Sequence, residues 1–171
     1  MKKQVILLFL LSLLFVQPVY ADSPYVLPYP SSMPGTIFYK IHRVWEELEK
    51  YWYFGNFGQF QYNLMESDKY LVQARTLFEY KQYLLATQAL VQSDNFFIKT
   101  QPFLNKAKSV GENITEKEIL LHQAAQKHIE VLTDLLSIVP KVFVWIPEKS
   151  AASTLHIDNQ IQTSISLRKS L

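Results

Sequence analysis

The chain has 171 residues, with 17 basic and 15 acidic side chains, eight prolines, four glycines and no cysteine. Disulfides, thiolate metal sites and lipid attachment through a cysteine are therefore excluded, and stability must come from packing alone. Lys2 and Lys3 precede the first apolar run, so the rest of the chain carries 15 basic against 15 acidic residues and has no electrostatic reason to bind nucleic acid or anionic lipid.

The apolar run from Val5 to Val16, then Pro18 and the small residues around Ala21, predict a secretory signal peptide over residues 1–21, cleaved after Ala21. As a helix that run would span about 18 Å, against a hydrocarbon core of roughly 30 Å, which argues against an uncleaved anchor. The expected location is secreted or periplasmic. About 150 residues follow, enough for one domain with a real core.

Residues 22–35 carry Pro24, Pro28, Pro30 and Pro34 and predict an extended, proline-rich N-terminal arm. Tyr25, Val26, Leu27 and Tyr29 are too apolar for a solvated tether, so the arm is expected to pack in part. Residues 36–171 read as a helical domain. Thr36 is the expected N-cap of a first helix with the stripe Ile37, Ile41, Val44, Leu48 and Tyr51. Gly55, Asn56 and Gly58 end it and allow a reversal. Seven of the twelve residues from Tyr51 to Tyr62 are aromatic. They are read either as the seam between the first two helices or as a stacking surface for sugar, peptide or lipid headgroup, with Trp52, Tyr53, Phe54 and Tyr62 as the candidate binding residues.

The centre of the domain is the run from Phe57 to Ala107. Phe57, Phe60, Leu64, Ser67, Leu71, Ala74 and Phe78 recur at spacings of three and four and form one helical stripe. Ala86, Leu90, Ser93, Phe97, Thr100, Leu104 and Ala107 form a second, which would face the first across a turn near Glu79 to Gln82. Pro102 is expected to kink or loosen that helix and Gly111 to close it. Thr115 with Glu118 has the capping-box pattern before a helix with the stripe Leu121, Ala125, His128, Leu132, Leu135 and Val139, reinforced by Ala124, Val131 and Ile138. Pro140 stops it. The run Val142 to Ile146, bracketed by Pro140 and Pro147, should dock onto the bundle. Glu148 to Lys169 reads as a weak last helix that frays at its end, with Ala151, Leu155, Ile161 and Ile165 as its apolar positions.

Catalytic chemistry finds no foothold. There is no Glu-x-x-His, no His-Glu-x-x-His, no Gly-x-Ser-x-Gly and no phosphate-cradling glycine loop, so no catalytic residue, metal ligand or cofactor is assigned. Glu118 and His122 read as a surface pair, His128 as a hydrogen-bonded core histidine, and His42 and His156 as solvated. The carboxylates Glu46, Glu47 and Glu49 leave a glycan-acting enzyme as an alternative. Asn113 to Thr115 match a glycosylation acceptor, a pattern with meaning only in a suitable host.

The stretch Leu77 to Tyr83, followed by Ala86 and Leu90, looks like the middle of a tetratricopeptide repeat, where a Tyr and an Ala three residues later pack the turn of a helical hairpin. No second copy follows, so a single hairpin within a bundle is expected rather than an array. Met33, Pro34 and Gly35 leading into Phe38 to Glu46, then Tyr62 to Leu64, Lys69 to Leu90 and His128 to Pro140, resemble the domain of unknown function 5667 family over about 110 residues. The resemblance implies an exported bacterial helical domain and supplies no functional residue.

The sequence thus predicts an all-α fold: a four- to five-helix antiparallel bundle with a tetratricopeptide-like central hairpin and a proline-rich arm. The expected role is binding or scaffolding in the cell envelope, with an envelope protein or cell-wall component as partner, no nucleic acid and no stable membrane span. A periplasmic chaperone-like stress protein is a further alternative.

Overall fold

The two central stripes become two long helices, α1 (Gly55–Glu79) and α2 (Tyr83–Ser109), joined by the three-residue turn Tyr80 to Gln82. All seven predicted positions of the second stripe are buried, and all of the first except the half-buried Phe57. A third helix, α3 (Thr115–Ile138), a two-stranded antiparallel ribbon of β1 (Val142–Trp145) and β2 (Ser153–His156), and a short helix α4 (Ile157–Lys169) complete the chain. The computed structural model describes residues 23–29, 52–149 and 151–171. The expected signal peptide, the rest of the expected arm and the helix expected over Thr36 to Tyr51, with His42, Glu46, Glu47 and Glu49, lie outside the described residues. The described part is mostly helical, as the sequence predicts, and none of its helices is long and apolar enough to cross a membrane.

Both long helices end in the same hydrogen-bonded closure. At the end of α1, Lys81 N–H donates to the Phe78 carbonyl at 2.9 Å and Gln82 N–H to the Leu77 carbonyl at 2.9 Å, with Lys81 in the left-handed region at φ 59°. At the end of α2, Gly111 N–H donates to Lys108 at 3.1 Å and Glu112 N–H to Ala107 at 3.1 Å, with Gly111 at φ 85°. This pairing of bonds satisfies carbonyls that no further turn can reach, and its left-handed residue is ordinarily glycine. The predicted role of Gly111 is thereby met, whereas Lys81 carries a Cβ penalty.

α2 runs through Pro102, which lies on its exposed face, and continues to Ser109. Three local expectations change. The capping box at Thr115 does not form: the N-cap is Ile114, and it is Asn113 Oδ1 that accepts the Thr115 N–H at 3.1 Å. Glu116 and Glu118 still place negative charge on the first turn of α3, where the helix dipole favours it. Ile138, assigned to the buried stripe, is the last residue of α3 and is exposed.

The third change concerns Val142 to Ile146. The run docks on the bundle through Phe143, as expected, but it does so as a strand, with Phe143 opposite Leu155 and Trp145 opposite Ser153. Alternation then decides burial: Phe143 turns inward to meet the Tyr83 ring at 4.8 Å, while Val142 and Val144 face outward. The weak helix expected from Glu148 begins only at Ile157, since β-branched and aromatic residues between two prolines favour an extended pair over helix.

The core has two apolar centres. One gathers Leu71, Phe78, Leu90, Leu132, Ile157 and Ile161 with their neighbours at the turn end of the α1–α2 hairpin. The other gathers Phe60, Leu64, Phe97, Leu104 and Leu121 toward the opposite end. Leu27 of the arm packs on the first and Tyr25 on the second, so the arm is packed where it is described. Lys81→Gly is expected to raise the unfolding free energy by up to about 1 kcal/mol in a denaturant titration, and Gly111→Ala to lower it by about 1–2 kcal/mol. An unchanged midpoint in both would show that these closures do not carry the strain assigned to them.

Candidate functional site

Two groupings stand out, one at the surface and one wholly inside. The surface grouping is the predicted aromatic segment. Gly55 opens α1 at φ 71°, a conformation closed to bulky side chains, and the chain before it folds back over the first turns of the helix. A Cβ on Gly58 would sit 2.8 Å from the Tyr53 carbonyl carbon, so only glycine lets the backbones meet. Gln59 Nε2 donates to the Tyr53 carbonyl at 2.7 Å and fixes the turn from the other side.

The four candidate residues separate on this base. Trp52 is 67% exposed and Phe54 82% exposed. Tyr53 is half-buried and Tyr62 is buried, so Tyr62 supports the surface and does not present itself to a ligand. From Tyr53 a ladder of rings runs along α1 and α2. Tyr53 meets Tyr62 at 5.6 Å, Tyr62 meets Phe96 edge-on at 6.1 Å, and Phe96 stacks on Tyr70 at 5.7 Å. Lys99 lies 5.0 Å over the Phe96 ring and Lys69 6.0 Å from that of Tyr70. Each ring pair contributes about 0.5–1.5 kcal/mol beyond area burial. The ladder is therefore a stiff support for the two outward rings.

The interior grouping lies between the two apolar centres and joins every described helix. His128 of α3 is fully buried. Its Nδ1 accepts a hydrogen bond from Arg168 Nε of α4 at 2.9 Å. A guanidinium nitrogen can only donate, so Nδ1 carries no proton, the imidazole is neutral, and Nε2–H donates to Asp68 Oδ1 of α1 at 2.7 Å. The other Asp68 oxygen accepts the Tyr25 hydroxyl at 2.5 Å, which ties in the arm. Arg168 Nη1 pairs with Asp94 Oδ1 of α2 at 2.6 Å and donates to the Ser164 carbonyl, and Nη2 donates to Ser93 Oγ at 2.9 Å. Ser93 in turn donates to the Ser67 carbonyl of α1, and Ser164 Oγ to Asp94 Oδ2. The guanidinium also stacks 4.9 Å over the Phe97 ring.

Burial governs the protonation of this network. Loss of water lowers the His128 pKa from its usual 6.5, a fall that the nearby Arg168 adds to and Asp68 opposes. Burial, then the Asp68 charge and hydrogen bond, raise the Tyr25 phenol well above its usual range, so it stays a donor. Burial lowers the Arg168 pKa and Asp94 opposes the fall. Both nitrogens of His128 are occupied within the network, which ties α1, α3 and α4 together at this point. His122 is exposed and Glu118 half-buried, and among the described residues no three His, Asp or Glu side chains gather as a metal site.

Sequence reasoning identified His128 but not its partners. Arg168 stands in a helix end expected to fray, yet it is 1% exposed. The signal was present as spacing: Ile157, Ile161, Ser164 and Arg168 recur at four, three and four, one face of α4 with a charge as its last member.

Removing one partner of a buried pair strands the other charge, at a cost of about 3–5 kcal/mol. Arg168→Met is expected to lower unfolding free energy by that amount, and adding Asp94→Asn to restore part of it; no recovery in the double variant would contradict the pairing. At the surface, Gly58→Ala is expected to displace the Tyr53 turn and shift Trp52 fluorescence, with about 1–3 kcal/mol of lost stability. No protein-family model matches the chain, and no curated protein or solved structure matches it either.

Proposed function

We propose that the chain is an exported domain that binds or scaffolds a component of the cell envelope, with Trp52 and Phe54 as its contact residues. The observation that carries this reading is two largely exposed rings held on a turn braced by Gly58 and Gln59 and backed by the Tyr53, Tyr62, Phe96 and Tyr70 ladder. Exposed rings cost solubility, and a stiff support lowers the entropy lost when they are covered. Such rings suit the apolar face of a sugar or an apolar peptide side chain. The predicted signal peptide supplies the location, and the resemblance to the domain of unknown function 5667 family agrees with it.

The finer fold reading belongs with this proposal. α1 and α2 are read as the tetratricopeptide-like hairpin of an antiparallel bundle, supported by the three-residue turn and by Tyr83 and Ala86 packing together at its core. A single such hairpin serves as a stiff platform and does not form a groove by stacking.

Co-sedimentation of the mature chain with isolated cell wall, membrane vesicles and envelope protein extract tests the reading. Retention on one of these fractions is expected, weakened at least about tenfold by Trp52→Ala with Phe54→Ala, the loss usual for an aromatic contact. Equal retention of the double variant would remove the aromatic surface from the binding site.

A further inference from the structure

The two halves of α4 are held differently. Its first half is anchored by Ile157 and Ile161, both fully buried in an apolar centre, and by Gln160 Nε2 donating to the Thr87 carbonyl at 2.9 Å. Its second half has Ile165 and Leu167 only partly buried, and its two fully buried side chains, Ser164 and Arg168, are polar. Attachment of the last two turns therefore rests largely on the hydrogen bonds around Arg168.

One of those bonds is conditional. The Arg168 Nε–H to His128 Nδ1 contact exists only while Nδ1 is a lone pair. Protonating the imidazole puts two N–H donors face to face at 2.9 Å and a second positive charge beside the guanidinium. The charged and titratable groups facing His128 are Asp68 of α1 with Tyr25 of the arm behind it, Asp94 of α2 and Arg168 of α4; on α3 itself, Lys127 and Glu130 pair with each other at 2.8 Å. Of these, only Asp68 touches the ring in a way that welcomes a cation, through a bond that an imidazolium keeps and strengthens.

We propose that the last two turns of α4, Ser164–Lys169, are an acid-released latch: protonation of His128 exchanges the His128–Arg168 contact for a His128–Asp68 ion pair, and Arg168 leaves the core. The exchange conserves the local balance, because one cation serves the buried Asp68 and the half-buried Asp94 before it and the imidazolium takes over at Asp68 after it. Asp94 follows Arg168 toward solvent, where it is already partly exposed. Opening uncovers the face of α2 and α3 that Ser164 and Arg168 now close. The direction follows from linkage: the docked latch holds His128 neutral, so between the docked value and about 6.5 only the open form binds the proton, and opening grows as pH falls.

Hydrogen exchange of the mature chain, corrected for the intrinsic pH dependence of amide exchange, reads this directly. The opening equilibrium of the segment around residues 164–169 is expected to rise at least about tenfold from about pH 7.5 to about pH 5, one proton bound on opening giving up to about tenfold per pH unit, while α1 and α2 stay protected. In His128→Gln, which offers an amide in place of the ring and cannot titrate, the same segment is expected to change less than about threefold. An NMR titration of the His128 ring in the unsubstituted protein gives a second reading should that variant not fold: its midpoint must coincide with that of α4 opening. Continued protection of α4 at about pH 5, equal opening in His128→Gln, or separate midpoints for ring and helix would each overturn the latch.

Discussion

The contact on which the architecture depends is the one between Arg168 and its acceptors. A buried guanidinium loses several kcal/mol of hydration, and nothing apolar returns that. Here His128, Asp94, Ser93, the Ser164 carbonyl and the Phe97 face surround it, and these partners come from α2, α3 and α4 itself. Apolar surface alone would allow α4 to slide or rotate on the α1–α2 hairpin, because Leu, Ile and Ala contacts are weakly directional. A planar, five-donor cation with four of its donors assigned, to His128, Asp94, the Ser164 carbonyl and Ser93, permits few alternatives. The apolar centres drive association and the polar layer between them selects one arrangement.

That division explains what could be read in the sequence. The stripes of α1, α2 and α3 were legible because apolar residues at three-and-four spacing admit few other readings, and even Ser67, Ser93 and Thr100 fell into place as small members of those stripes. Asp68, Asp94 and Arg168 were not, because a charge on a helix is ordinarily solvated and only the fold brings opposite charges from distant turns together. His128 was flagged because it interrupts an apolar stripe; Arg168 ends one, and a polar residue at an end reads as fraying. The ribbon was missed for another reason. Val142 to Ile146 is too short for periodicity to tell a docked segment from a strand, and its partner, Ser153 to His156, has little hydrophobic signal of its own.

The surface site shows the same limit from the other side. Density of rings pointed to the segment from Tyr51 to Tyr62, but not to which rings would turn outward. Position relative to Gly55 and Gly58 decided that: Trp52 and Phe54, ahead of the helix, are largely exposed, while Tyr53 is half-buried against Tyr62, which lies within the helix and meets Phe96. A glycine that admits a close backbone contact does as much here to define the surface as the aromatic residues that form it.

The span of these contacts also bears on how the chain reaches its fold. Tyr25 to Asp68 joins residues 43 apart, His128 to Asp68 joins residues 60 apart, and Arg168 to Asp94 closes a loop of 74 residues. Long loops cost entropy before their contacts return anything, so such pairings form late. Until α4 is available, Asp94 and His128 have no guanidinium between them and the α1–α2 hairpin stands without its polar lock. A chain built this way completes its polar layer only once its distant segments are free to meet, so the last helix, though short, sets the step at which one arrangement of the others is selected.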